Sequence, residues 1–495
     1  MTLLTLLCLP ALAGDFVDVW VTTAFEDTNL LAGPDAYSPS ANFVERGNDT
    51  FFENYESSTS DDITRADLVL YRKGDSFFED WSTESALVMR MTPYLDPDKT
   101  KPGVDLKDDG SYVRLVRKLP GDDHNLSLTG YAIDAGRFRL GYSYDLTWGG
   151  REIFSFTTGA APGARLQWQK QGSYAYVGAK TSVGDYIYYD EESGYKQTRN
   201  QAYYAFLSGA GLDVKDQLRL ELGFGTFDQG QILNITDTSS ELYGAPITAA
   251  GLCGQVAYRT TTDLDYISSA DLKLYRNDPD NPRKTYIFHR QVDGFGMLVQ
   301  GEWNVLSHNL LDPDGETSTV IERGMAGDLQ SLFVYNTTVL GVDLVYKDLP
   351  YILFNIPGLT SGVAMSPDIE RTPQIYGRFQ VSHFFPNAHV TPALGLGLMN
   401  PATYTTADGT FVQYTAEDKE HVPDGQAATA ILSSVAAVQV DMSESVVIIG
   451  ELLYTVDNNL SDYVTTEDDE YGVRVPAAAN ERNALGVNLM MRARF

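Results

Sequence analysis

The sequence closes on ALGVNLMMRARF, residues 484–495. Leu485, Val487, Leu489, Met491, Ala493 and Phe495 form one set of alternate positions. Ala484, Gly486, Asn488, Arg492 and Arg494 form the other, with Met490 its one bulky apolar member. Successive side chains of a strand project to opposite sides. The stretch therefore reads as a strand that is greasy on one side and polar on the other up to its last residue. Soluble domains usually fray at their ends.

Working back from the terminus, the same period recurs. In GRFRLGYSYDL, Phe138, Leu140, Tyr142, Tyr144 and Leu146 oppose Arg137, Arg139, Gly141, Ser143 and Asp145. In ARLQWQK, Leu166 and Trp168 oppose Arg165, Gln167 and Gln169. Leu218, Leu220, Leu222 and Phe224 oppose Arg219, Glu221 and Gly223. Phe295, Met297, Val299, Trp303 and Val305 oppose Gln300, Glu302 and Asn304, and Phe379 and Val381 oppose Arg378, Gln380 and Ser382. The apolar sides are continuous, the polar sides carry Arg, Glu and Gln at mid-strand, and no segment reads as sealed on both sides. A soluble sandwich shares the period, but not this combination. The pattern predicts an all-β chain, a transmembrane antiparallel up-and-down β-barrel.

Strands are predicted at 15–25, 62–73, 84–95, 111–119, 124–134, 136–147, 163–171, 173–182, 201–211 and 215–225. Ten more are predicted at 251–261, 266–276, 292–305, 327–337, 339–348, 373–384, 388–398, 426–440, 444–456 and 484–495. Most have the length a tilted strand needs to cross a bilayer, about 9–11 residues. Residues 427–440 also have a helix-compatible composition, and EIFSFTT at 152–158 reads either as strand or as infolded loop. Strand one starts beside the export signal and the last strand ends in the periplasm, so the strand number is even. About 18 strands are expected, within 16–20, and such a lumen is too wide for strand side chains alone to fill. Long polar connections at 26–61, 96–110, 226–250, 306–326, 349–372, 399–425 and 457–483 contrast with short joins such as LPGDDH at 119–124.

The first residues, MTLLTLLCLPALAG, have the apolar run and A-x-A site of a secretory signal, here residues 1–13. A basic start is missing, which points to an initiation codon further upstream. Leu7 before Cys8 does not fit a lipoprotein signal. Cleavage leaves Cys253 alone, so no internal disulfide is expected. Residues 14–495 read as one domain, with no run of 18 apolar residues, internal repeat or separate plug. The net charge of −31 excludes a nucleic-acid partner. It describes either a solvated exterior or carboxylates holding divalent cations at a lipopolysaccharide surface. Acidic clusters lie at Asp61-Asp62, Asp108-Asp109 and Glu467 to Glu470. A mean hydropathy of −0.21 suits a barrel, since half of each strand faces water. The 30 Tyr and 43 Gly suit interfacial girdles and bends in strands.

On the terminal strand and these amphipathic strands, the chain resembles a bacterial outer-membrane β-barrel, porin-like. The resemblance implies an integral outer-membrane location with both termini periplasmic. It also implies recognition of Leu489, Met491 and Phe495 by the barrel-assembly machinery. RLGYSYDLTWGGREIFSF, 139–156, is similar to the stretch of porin-like and alginate-export barrels where the chain enters the channel. That would set Arg151 and Glu152 at a constriction; the alternative is a plain turn bearing a girdle residue, Trp148.

An arginine facing lipid at mid-depth costs about 2–4 kcal/mol. Arg90, Arg137, Arg139, Arg165, Arg219, Arg378, Arg492 and Arg494 are therefore expected to point inward. They either pair with Asp145, Glu221 and Glu302 as bracing or line a selective path with them. Gly74-Asp75-Ser76 has the look of an esterase nucleophile turn, with Asp418 and His421 in triad order. The alternating helices and strands such a fold needs are absent, so no enzyme is expected. None of the six histidines has a metal-ligand spacing, and no cofactor is expected. The function expected is passive passage of small hydrophilic solutes by a monomer or homotrimer. The alternatives are a conduit for polysaccharide export and a closed anchoring barrel of the envelope.

Overall fold

The computed structural model describes residues 18–27, 29–31, 65–76, 78–95, 102–108, 110–133, 135, 138–141, 143, 146, 161–190, 195–231 and 245–264. It also describes 291–311, 319–353, 369–414, 419–423, 425–465, 474–478 and 482–494. Strands β1 (Asp18–Asp27), β2 (Arg65–Asp75), β3 (Trp81–Leu95), β4 (Pro102–Asp108), β5 (Tyr112–Lys118) and β6 (His124–Tyr131) come first. Then follow β7 (Gly163–Lys170), β8 (Ser173–Asp190), β9 (Tyr195–Val214), β10 (Leu218–Gln231), β11 (Pro246–Arg259), β12 (Phe295–Leu311), β13 (Thr319–Tyr335) and β14 (Thr338–Lys347). A short helix α1 (Leu349–Leu353) precedes β15 (Glu370–Thr372), β16 (Gln374–His383), β17 (Val390–Asn400), β18 (Ala402–Thr406), β19 (Gly409–Gln413) and β20 (Lys419–His421). The chain ends through β21 (Ile431–Ser443), β22 (Val446–Val456), β23 (Ser461–Thr465), β24 (Arg474–Ala478) and β25 (Asn483–Arg494).

Nineteen of these strands form one antiparallel sheet, in which each pairs with the next in chain order except at β4 and β5. β4 and β5 pair with successive parts of β3, so they share one place and the ladder has eighteen. β1 pairs with β2 on one side and with β25 on the other, from Trp20↔Arg494 to Asp27↔Val487. The pairing order therefore has no free end. The alternating terminal stretch supplies the last strand as the sequence predicts, and of the stretch 426–440 the part from Ile431 is strand, not helix, while 426–430 precede it without regular structure.

One predicted strand needs correction. The described residues within 136–147 form no strand, and β6 pairs directly with β7. β11 and β12 pair with each other in the ladder, and the strand predicted at 266–276 lies outside the described residues.

One rim consists mostly of tight turns. Gln171 and Gly172, joining β7 to β8, both have positive φ (47° and 78°), the primed-turn geometry whose twist suits antiparallel strands. Asn336-Thr337 and Glu444-Ser445 are equally short. The exception on this rim is the connection from 260 to 294. At the opposite rim, three long connections gain structure of their own. β15, β18, β19 and β20 form a small antiparallel sheet, and β23 pairs with β24.

Burial is inverted relative to a water-soluble domain. Leu222, Leu394 and Leu396 are 55 %, 60 % and 59 % exposed, while Arg165, Lys180 and Gln300 are each 1 % exposed. Strands β7 and β10 keep this sense: Trp168 and Phe224 point out, Gln167 and Glu221 point in.

Candidate functional site

The described residues between β6 and β7 run along the inner wall. The segment leaves β6 through Ala135, whose amide donates to the Ala161 carbonyl at 2.8 Å. Phe138 stacks on Tyr131, with centroids 6.4 Å apart, and meets Tyr176 edge-on at 6.0 Å. Behind Phe138 sit two buried cations, the Arg165 guanidinium at 5.7 Å and Lys180 Nζ at 5.7 Å from its ring centroid. The wall makes room with small residues. A Cβ on Gly178 would enter the Phe138 ring, and one on Gly223 would lie 2.9 Å from Leu140 Cδ2. The segment therefore packs across β8 and β10 by van der Waals contact, and Phe138, Leu140 and Leu146 are fully buried.

Farther along, it is tethered by polar groups. Gly141 has φ +90° and lies so close to Glu302 that a Cβ would collide with the carboxylate. The Ser143 amide donates to Glu302 Oε2 at 2.8 Å, and the Ser143 hydroxyl donates to the Asp328 carboxylate. Asn304 Nδ2 donates to the Leu146 carbonyl at 3.1 Å, and the Tyr351 hydroxyl donates to the same oxygen at 2.6 Å. Tyr351 belongs to α1, which folds inward over β13; a Cβ on Gly324 would lie 2.6 Å from the Tyr351 amide. Asp348 caps that helix, accepting from the Tyr351 amide at 2.8 Å and from the Met325 amide at 2.9 Å. Burial pushes the Asp348 carboxyl above the usual carboxylate range, against those two hydrogen bonds and the Arg371 charge, with Glu322 adding to the rise. Burial likewise pushes the Tyr351 phenol well up.

A second set of contacts fixes the mouth at the long-connection rim. Tyr404, Phe411 and His421 stack across β18, β19 and β20, with centroids 5.1 Å and 4.5 Å apart. Leu349 and Ile352 of α1 pack in the same cluster as Tyr404. Asp457 accepts from the Tyr414 hydroxyl at 2.7 Å and from the Asn459 amide at 2.8 Å. Asn459 in turn exchanges bonds with the Thr429 backbone at 2.7 Å and 3.0 Å. Burial raises the Asp457 carboxyl above its ordinary value despite these donors.

The sequence-predicted site residues fall into distinct places. Arg90, Arg165, Glu221, Glu302 and Arg492 are buried on inward positions. Arg219 binds Asp213 through Nε at 2.5 Å and Nη2 at 2.6 Å, and Arg378 binds Asp343 at 3.0 Å. Glu221 accepts from the Tyr174 hydroxyl, and Glu302 holds the infolded segment. Two braces are thus made by Asp213 and Asp343, which the sequence pattern did not single out. Arg139 sits on the infolded segment instead of a strand face. Arg494 is half-buried at the end of β25. Arg137, Asp145, Trp148, Arg151, Glu152 and Phe495 lie outside the described residues, as do Asp61, Asp62, Asp109 and residues 467–470. Outward positions hold Leu489 and Met491, 49 % and 45 % exposed. Ser76 lies in the β2–β3 turn and His421 at the opposite rim, so no triad assembles; Asp418 is not described. Among the described residues, no group of three or more His, Cys, Asp or Glu could hold a metal ion.

Sequence reasoning missed Ser143, Asp328, Asn304 and Tyr351. One signal pointed to them: inward positions of β8 to β11 are unusually small or apolar (Gly178, Ala205, Leu207, Gly223, Gly225, Ala249, Cys253), a wall that expects a covering.

No protein-family model and no curated protein sequence matches the chain. Solved structures similar to it include OpdQ of Pseudomonas aeruginosa, at 7 % identity over 97 % of this chain and 98 % of that one, with a TM-score of 0.45. OmpT, an outer membrane protein of Vibrio cholerae, is similar at 9 % identity over 97 % of both chains, with a TM-score of 0.36. The anion-selective porin from Comamonas acidovorans is similar at 12 % identity over 97 % of this chain and 98 % of that one, with a TM-score of 0.36.

Proposed function

We propose that the chain is a porin-like channel of the outer membrane, a closed transmembrane β-barrel of eighteen places that passes small hydrophilic solutes. The observation that carries this reading is the inverted polarity on a ladder whose first and last strands pair. In lipid, backbone groups must be satisfied within the protein, and a ring of strands does so without an edge. The outward positions of β11 from Tyr258 to Thr248 pass through Val256, Gly254, Leu252 and Ala250. At about 3.4 Å per residue and a tilt near 40°, those ten steps rise about 26 Å, the height of the apolar band of such barrels.

The infolded segment then takes the role of the narrow zone, since it occupies the inner wall from β8 to β13. Solutes pass along the remaining wall, where Arg90, Arg378, Asp343, Glu451 and Arg492 face inward and set ion preference. The lipid and lipopolysaccharide surroundings, assembly through Leu489, Met491 and Phe495, periplasmic termini and a monomeric or trimeric state belong to the same reading. No chemistry is assigned to the chain.

Purified protein in planar bilayers is expected to give stepwise, ion-selective conductance. A folded protein that stays silent would overturn the channel. A second reading, a closed barrel that anchors envelope machinery, is favoured by one observation: Arg90, Glu221, Glu302, Asp343, Glu451 and Arg492 are at most 8 % exposed. The same burial makes the expected unit conductance small. It also gives little support to export of a polysaccharide, which needs a wide clear lumen.

A further inference from the structure

On the outward side of the tight-turn rim, one row of residues crosses four neighbouring strands. Trp81 pairs with Arg117, Arg117 with Leu126, and Leu126 with Trp168. One step nearer the rim, His124 pairs with Lys170. The Arg117 guanidinium lies 5.8 Å from the Trp81 ring centroid. Trp168 Nε1 donates to His124 Nε2 at 3.0 Å, and His124 Nδ1 lies 2.9 Å from the Pro120 carbonyl oxygen. An indole nitrogen only donates, so His124 Nε2 is the acceptor of this bond and Nδ1 faces the Pro120 carbonyl. The latch fixes the Trp168 ring edge-on at 6.0 Å.

The wall around this row is ordered by chemistry. Toward the middle of the strands lie exposed Val113, Leu115, Leu128 and Leu166. Beyond the row, the exposed turn tips carry Glu79, Asp80, Asp122 and Asp123. Farther round the same rim, outward residues of the strand ends include Tyr258, Phe295, Tyr335 and Met442. Passing outward along β3 to β7, aliphatic residues give way to a row that holds both indoles and Arg117, then to Lys170, then to the carboxylates of the turn tips.

We propose that this patch seats one zwitterionic, amine-bearing phospholipid; the proposal rests on reading the rim as a bilayer interface. The order matches acyl chain, ester, phosphate and ammonium. Arg117 and Lys170 are two strands apart and offset by one pair, roughly 12 Å between Cα atoms. Their long side chains converge on one phosphate from either side. The indoles of Trp81 and Trp168 border the ester level, where amphipathic rings prefer to sit. The carboxylates at the turn tips accept from the ammonium. A choline headgroup lacks N–H donors and a glycerol headgroup lacks the positive charge, so each satisfies only half of the seat.

The test is native mass spectrometry of folded protein released from nanodiscs holding equal parts of ethanolamine, glycerol and choline phospholipids. Ethanolamine lipid is expected to be retained several-fold over the other two. Arg117→Gln with Lys170→Gln should bring retention to the bulk ratio. Asp122→Asn with Asp123→Asn should keep phosphate binding but shift the preference toward glycerol lipid. Equal retention of all three lipids by wild-type protein, or retention unchanged in the Arg117/Lys170 variant, overturns the seat. Protein that fails to insert overturns the membrane reading as well, whereas protein that inserts without lipid preference overturns the seat alone.

Discussion

Tyr351 shows how much one hydroxyl can control. Its bond to the Leu146 carbonyl, 2.6 Å long, ties a helix in one connection to the end of the infolded segment in another. Tyr351→Phe removes this donor and leaves the Asn304 amide donating to that oxygen. The global loss is expected to be small, about 1 kcal/mol. The local effect is larger, because the segment is released at one end. Single-channel recordings should show more frequent transitions between conductance levels, with chemical denaturation midpoints nearly unchanged. Gly141 makes the complementary case. Its φ of +90° and its contact with Glu302 both reject a side chain. Gly141→Ala is expected to cost about 1–3 kcal/mol, read from urea unfolding in vesicles. At this scale the inward arginines were legible from period 2 and the cost of a charge in lipid. Their partners were not, because Arg219–Asp213 and Arg378–Asp343 join neighbouring strands whose register no sequence pattern fixes.

For single elements, period 2 was decisive and once misleading. GRFRLGYSYDL alternates like its neighbours, yet its apolar positions Phe138, Leu140 and Leu146 pack on the inner wall. An extended segment against an apolar lining obeys the same alternation as a strand against lipid. The pattern reports that one side is covered, not by what. The genuine strands permit a sharper test. Leu396, outward on β17, is 59 % exposed to what the proposed function reads as lipid. Leu396→Arg should destabilise the folded protein in vesicles by about 2–4 kcal/mol. A soluble β-protein would tolerate the same change with little effect.

The mouth has its own pH response. Burial raises the Asp457 carboxyl from 3.8, so the folded state holds its proton to a higher pH than the unfolded state does. Between those two values the folded state binds more protons, and stability falls as pH rises. The network of Asp457, Tyr414 and Asn459 should therefore be most protected in acid and looser at neutral pH. Hydrogen exchange of residues 457–461, corrected for intrinsic rates, should show protection lost as pH rises through the raised value. Asp457→Asn should flatten the profile. None of this network was visible in the sequence, since it joins residues from two long polar connections that carry no periodicity.

Across the whole molecule, the architecture was readable to a close approximation: an even ladder, long connections on one rim, short turns on the other. The exception at 260–294 was hidden because its sequence offers a strand-like run at 266–276. The planar-bilayer measurement belongs to this scale, and so does ordering in time. Asn29 Oδ1 accepts from the Leu485 amide, two residues 456 positions apart along the chain. Contacts this distant are the slowest to form, since the intervening polymer loses its freedom before any reward arrives. The seam between first and last strands cannot be stitched until the last strand has been made. Any shorter chain is thus an open ribbon with two unpaired margins, each able to join a second copy.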